Sequence, residues 1–215
     1  MRIESLELLT GDLDAQRTFY ERLGLPVRLD EGLRVSAGTS ELVFRHEPGF
    51  QGVYHFAFDV PYDRIGRAEE FLEGLSVQSH ADAGGKTRFP SQLWGAESIY
   101  FFDAAGNIEE FIGRSEIAST GDFRVLNVSE VGIACPDVLA TAEALSEKLG
   151  IGGYRETSEE FFPLGDAEGL FILAKAGRKW YPDTGIPAQE LPFRARIRTA
   201  TGLWNVSADS VSPAA

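Results

Sequence analysis

The same succession of hydrophobic and polar positions recurs along the chain. "IESLELLTGDLDAQRTFYERLGL" from residue 3 and "VSEVGIACPDVLATAEALSEKLGI" from residue 128 both run from a strand-like stretch through an aspartate into a helical pattern that stops at Leu-Gly. Asp12 precedes a helix with Phe19 and Leu23 on one side, and Asp137 precedes one with Leu139, Ala142, Leu145 and Leu149 at helical spacing. Gly24 and Gly150 stand where such helices end. Strand-like stretches follow each helix: "PVRLDE", "LRVSAGT" and "ELVFRHE" in the first copy, "YRETS", "EFFPLG" and "GLFILAKAG" in the last. A middle copy opens with "VYHFAFDVPYDRIGRAEEFLEGL", residues 53 to 75, whose helix has Ile65, Ala68, Phe71, Leu72 and Leu75 as its apolar stripe, and closes with "SIYFFDAAGNIEEFIGR". The predicted unit is β-α-β-β-β, present three times, and "PFRARIRTATG" reads as the first strand of a fourth unit that stops there.

This pattern predicts an α+β fold of tandem βαβββ modules. Each module is a small curled sheet with one helix across its outer face, and two modules pair to form a cup. Residues 1–115 hold two full modules and are expected to close as one paired domain. Residues 126–202 hold the third module and the first strand of a truncated fourth, a half that needs covering by the first domain or by a second copy. The second option predicts a homodimer. Residues 203–215, ending in "SADSVSPAA", have no periodicity and are expected to form a C-terminal tail.

Composition narrows the partners. A formal net charge of -13 opposes non-specific association with nucleic acid or anionic membranes, which depends on clustered cations, so a small molecule or a protein is the expected partner. No apolar run approaches the roughly 18 residues of a membrane span. The start of the chain lacks a signal-peptide pattern, and a cytoplasmic location is expected. The single cysteine, Cys135, lies in an apolar strand-like run and is read as packing.

Glu109 and Glu110 are adjacent on a predicted strand and must face opposite ways, one of them toward a core or pocket. A buried carboxylate requires a cation, either a metal or an arginine such as Arg45. Phe89, Trp94 and Tyr100 follow the polar run "SHADAGGK" and are candidates to line an apolar pocket, whereas His80 within that run is expected at the surface. "AGRKWYPDTG" combines Arg178, Lys179, Trp180 and Tyr181, which suits an anionic ligand, a strand end or an interface.

Four stretches, "LLTGDLDAQRTFYERLGL", "YHFAFDV", "YFFDAAGNIEEFI" and "VGIACPDVLATAEALSEKLGI", give the chain a resemblance to the vicinal oxygen chelate superfamily. That group includes glyoxalase I, extradiol dioxygenases, fosfomycin-resistance thiol transferases and bleomycin-resistance proteins. The third stretch resembles the family's Asp-Pro-x-Gly-Asn-x-x-Glu hairpin, with Ala104 in place of proline. The resemblance implies a metal in the cup, held by residues on the first and last strands of the modules. His55 and Glu110 match such positions in the second module. Ser5 and Val43 occupy the corresponding positions of the first, so Glu7, on the same strand face as Ser5, is the expected third ligand and His46 a weaker substitute. Glu130 stands at the matching first-strand position of the third module, whose strands are incomplete. The expected site is thus His55, Glu110 and Glu7 around a divalent metal (Zn, Mn, Fe or Ni), with Arg45, Phe89, Trp94 and Tyr100 toward substrate. Two alternatives stay open: a metal-free small-molecule binder, as bleomycin-resistance proteins are, and a paralogue with a structural or regulatory role.

Overall fold

The computed structural model describes residues 1–117 and 121–214. The first module comprises strand β1 (Arg2–Thr10), helix α1 (Leu13–Arg22), and strands β2 (Val27–Leu29), β3 (Leu33–Ala37) and β4 (Ser40–His46). The second comprises β5 (His55–Asp59), a 3-10 segment (Tyr62–Arg67) running into α2 (Ala68–Gly74), then β6 (Arg88–Ser91), β7 (Ala96–Phe102) and β8 (Ile108–Arg114). The third comprises β9 (Asn127–Cys135), α3 (Val138–Leu149), β10 (Phe161–Asp166) and β11 (Gly169–Lys175). Strands β12 (Arg194–Thr199), β13 (Gly202–Ser207) and β14 (Val211–Pro213) complete the chain.

The aspartates and glycines read from the sequence act as helix punctuation. Asp12 accepts a hydrogen bond from the Ala15 amide (2.9 Å) and Asp137 from the Ala140 amide (3.0 Å), each satisfying a donor that the first helical turn leaves free. Gly150 ends α3 at φ +65°, a left-handed conformation in which glycine has no Cβ to strain.

The strands form two seven-stranded sheets, ordered β14-β13-β12-β1-β4-β3-β2 and β10-β11-β9-β5-β8-β7-β6. In each module the first strand runs parallel to the last: β1 with β4, β5 with β8, β9 with β11. The paired cupped sheets of the expected α+β fold are therefore present, but the partners differ from the expectation that residues 1–115 pair within themselves. β5 pairs antiparallel with β9, and β1 with β12. Charge helps to explain the choice. Glu4 of β1 meets Arg196 (3.6 Å) and Arg198 (2.6 Å), and Glu7 meets Arg194 (3.3 Å), all across the β1–β12 edge. β5, by contrast, is buried along its whole length and needs a partner as apolar as β9.

Two further expectations are corrected. "YRETS" forms no strand; its Tyr154 and Ser158 amides donate to the Pro163 and Phe161 carbonyls (both 2.8 Å) beside an isolated bridge of Gly153 with Leu164. The stretch from 203 is not a tail, because β13 and β14 extend the first sheet, with Trp204 opposite Ile197 and Val206 opposite Ala195. The incomplete third module is covered by β5 of the same chain, so the argument for a second copy no longer rests on it.

The main core joins the two sheets back to back. Leu6, Leu8 and Phe44 from one and Phe56, Phe58, Phe111 and Phe171 from the other are completely buried in one cluster. Helix α1 packs on β2, β3 and β4, and its Gln16 and Tyr20 reach the second sheet by donating to Asp103 (2.6 Å) and to Glu109. The cups thus open away from each other. Among the described residues no helix is long and apolar enough to cross a membrane.

Candidate metal and small-molecule site

The floor of the second cup is set by strand register. Ala57 of β5 lies opposite Glu110 on β8 and Glu130 on β9, so two carboxylates flank one small side chain on neighbouring strands. His55, two residues before Ala57, shares that face. One ligand atom from each of His55, Glu110 and Glu130 falls within 4.8 Å of the others, and all three residues are buried.

The imidazole is oriented from behind. Nδ1 of His55 lies 3.2 Å from the Ile108 carbonyl, which can only accept, so that nitrogen carries the proton and the Nε2 lone pair is left toward Glu110, 3.7 Å away. Burial pushes the His55 pKa down to about 4. Burial first, and the Glu130 carboxylate second, push Glu110 up to about 8. Burial thus favours the uncharged forms of both groups, a neutral imidazole beside a protonated carboxyl, over a salt bridge. Glu130 is treated differently, because the buried Arg114 guanidinium donates to both Glu130 and Asp59. Desolvation raises both of those carboxyls while Arg114 opposes it.

Above this floor is a cavity of about 340 Å³ with aromatic walls. Phe89, Trp94 and Tyr100 line it as expected, joined by Phe161, Trp180 and Tyr181. Trp180 forms a roof over the imidazole, with ring centroids 5.0 Å apart. It can lie there because position 132 of β9 is glycine: a Cβ would come within 2.6 Å of the indole. The segment carrying Trp180 is tied back on itself, with Gly177 donating to Ala188 (2.8 Å), Trp180 to Ile186 (3.0 Å) and Ala188 to Arg178 (2.7 Å).

Glu7 and Arg45 are not at this floor. They lie on the first sheet, where Arg45 donates to Glu7 at 2.8 Å and to the Glu31 carbonyl. The carboxylate that joins His55 and Glu110 is Glu130, and the cation beside it is Arg114. The alternation of β8 held a signal for the latter, since Arg114 is four residues from Glu110 and so on the same face. Glu109 does face away from Glu110, but its side is covered by α1 and it is completely buried, accepting from Tyr20. His46 is exposed near the Gly11 carbonyl (3.2 Å). His80 is half-buried rather than on the surface, its Nε2 lying 3.3 Å from the Pro182 carbonyl. Cys135 is buried, as packing requires.

No protein-family model matches the sequence, and no curated protein matches it. Solved structures do match in shape. A candidate dioxygenase from Bacillus subtilis superposes with a TM-score of 0.64 at 17% identity, covering 94% of this chain and 71% of that one. Glyoxalase I from Zea mays superposes with a TM-score of 0.56 at 16% identity, covering 81% of this chain and 66% of that one. At such identities the likeness establishes architecture and leaves activity open. The curled sheets, their module order and these neighbours together identify the chain as having the fold of the vicinal oxygen chelate superfamily.

Proposed function

We propose that the chain is a divalent-metal-dependent enzyme acting on a small molecule in the second cup, with His55, Glu110 and Glu130 as the metal ligands. The observation that carries this is the convergence of one imidazole nitrogen and two carboxylates within 4.8 Å at the floor of an aromatic cavity. The donor set fits the group. Three protein ligands leave coordination positions for substrate, and mixed imidazole and carboxylate donors suit first-row divalent ions. The contact of His55 Nδ1 with the Ile108 carbonyl leaves the neutral Nε2 facing the other two ligands. Glu110 has no fixed positive charge as its direct partner, and a cation would reverse the burial penalty on its ionised form. Bound there, a metal would supply Lewis-acid polarisation of substrate oxygens.

The chain's own residues account for the rest. Glu130 keeps one oxygen on Arg114 and has a second to offer. Glu110 takes up or releases a proton according to what lies beside it. Trp180, Tyr100 and Phe89 exclude water from the floor. The set departs from the two-histidine, one-carboxylate face of non-haem iron oxygenases, having one histidine and two carboxylates. One observation favours a metal-free binding protein instead: Arg114 already pairs with Glu130, and burial pushes Glu110 toward its uncharged form, so neither carboxyl is left without compensation.

The two readings separate by elemental analysis after incubation with Zn, Mn, Fe(II) or Ni and desalting. Near-stoichiometric metal that is lost in His55→Ala and Glu110→Gln but kept in Glu7→Gln supports the enzyme. No retained metal in the unmodified protein overturns it.

A further inference from the structure

We infer that the cup takes a compact, single-ring aromatic molecule bearing an anionic group, with Arg178 as the residue that selects the anion. The inference rests on the cup being the small-molecule site proposed above, but not on metal.

Arg178 is half-buried and lines the cavity. Its guanidinium carbon sits 5.0 Å from the centroid of Phe161, within cation–π reach of the ring face. The chain has 33 acidic and 20 basic residues, so an arginine without a carboxylate is unusual here; Arg2, Arg34, Arg45, Arg88, Arg114 and Arg198 all have one. Among the described residues the Arg178 guanidinium forms no ion pair, although Asp82 and Asp183 line the depression beside it. Its backbone carbonyl accepts from the Ala188 amide (2.7 Å), which ties down the segment from which the side chain projects.

Trp180, 4% exposed, adds its indole ring to the same wall. The walls are π faces and edges: Tyr181 meets Phe89 at 5.5 Å and Tyr100 at 5.9 Å between centroids, both edge-on. They favour a planar ring. The volume, about 340 Å³, is near the lower end of the usual range for ligand sites, about 300 to 1,000 Å³, and so favours one ring over two. Arg178 and His55 line the same cavity, so an anionic group on the guanidinium leaves the uncharged part of the ring for the rest of the cup.

The test is a fluorine NMR titration of the protein, kept in chelator, with 4-fluorobenzoate and 4-fluorobenzamide as probes. Benzoate is expected to bind about tenfold more tightly than benzamide, a difference that Arg178→Gln abolishes and Arg178→Lys partly restores, since charge-assisted bonds to a guanidinium fork are the stronger kind. Near-ultraviolet circular dichroism checks that the variants keep the native packing. Equal affinity for the two probes, benzoate binding unaffected in Arg178→Gln, or no binding of either probe overturns the inference. Arg178-dependent binding in a protein that retains no metal would sink the metal reading while leaving this one standing. Retained metal without benzoate selectivity would do the reverse.

Discussion

Replacing Arg114 by methionine tests the electrostatics of the floor most directly. The side chains of Arg114, Asp59 and Glu130 are 1%, 2% and 4% exposed, so solvent cannot stand in for the lost charge. Removing one partner of a buried ion pair typically costs about 3–5 kcal/mol, a large share of the roughly 5–15 kcal/mol that holds most domains folded. The cost should depend on pH in a defined direction. Without the guanidinium, Asp59 and Glu130 rise further above the ordinary carboxylate range, where burial has already placed them. A carboxyl whose folded pKa exceeds its unfolded one loses stability as pH rises from the unfolded value through the folded value. The deficit of Arg114→Met relative to the unmodified protein is therefore expected to be largest at pH 8 and smaller at pH 5, where the orphaned carboxyls keep their protons. Urea unfolding at both pH values, in chelator, measures it. Converting Asp59 to Asn and Glu130 to Gln in the same variant should recover most of the loss. A deficit below about 1 kcal/mol, or one of equal size at both pH values, would refute the reasoning.

Other changes probe the same cup. In metal-free protein Glu110, raised from 4.5 to about 8, should make stability fall as pH climbs from about 4.5 to about 8, and Glu110→Gln should flatten that fall; parallel slopes for the two proteins would contradict the assignment. His55, lowered to about 4, acts in the opposite sense, its neutral form adding stability as pH rises from 4 toward 6.5, so the comparison with Glu110→Gln is read above that range. Gly132→Ala would bring a methyl within 2.6 Å of Trp180 and 3.2 Å of the His55 Cβ, and overpacking of this kind costs about 1–3 kcal/mol. It should also move the indole, so that an unchanged tryptophan emission spectrum would count against the roof described for Trp180.

The fold was legible because periodicity, helix caps and repeat order are local. Asp12, Asp137 and Gly150 take the positions that the pattern predicts. Strand partnership was not legible, because it is decided by pairing between distant edges. β1 carries Glu4 and Glu7, and only the arrival of Arg194, Arg196 and Arg198 from the far end of the chain shows which edge they serve. The same gap explains the site. Reading modules in sequence order put Glu7 beside His55, whereas the pairing of β5 with β9 brings Glu130 there and leaves Glu7 with Arg45. His55 and Glu110 were found because both lie in one module and depend on no choice of partner. Trp180 belongs to a connecting segment, where its burial depends on Gly132, a residue with no side chain to announce it.

The pairing of β1 with β12 has a consequence for how the chain is made. Every strand of the site-bearing sheet lies between His55 and Lys175, so during synthesis that sheet can assemble from chain that has already emerged. β1, though translated well before β12, must wait for Arg194 and the residues after it before its outer edge is occupied, a closure of long sequence separation and correspondingly slow. In the interval it presents an open edge to other nascent chains. Glu4 and Glu7, which later hold the arginines of β12, lie on that waiting strand, and their negative charges repel an identical copy. The acidic residues that complete the first sheet thus also guard it while it is unfinished.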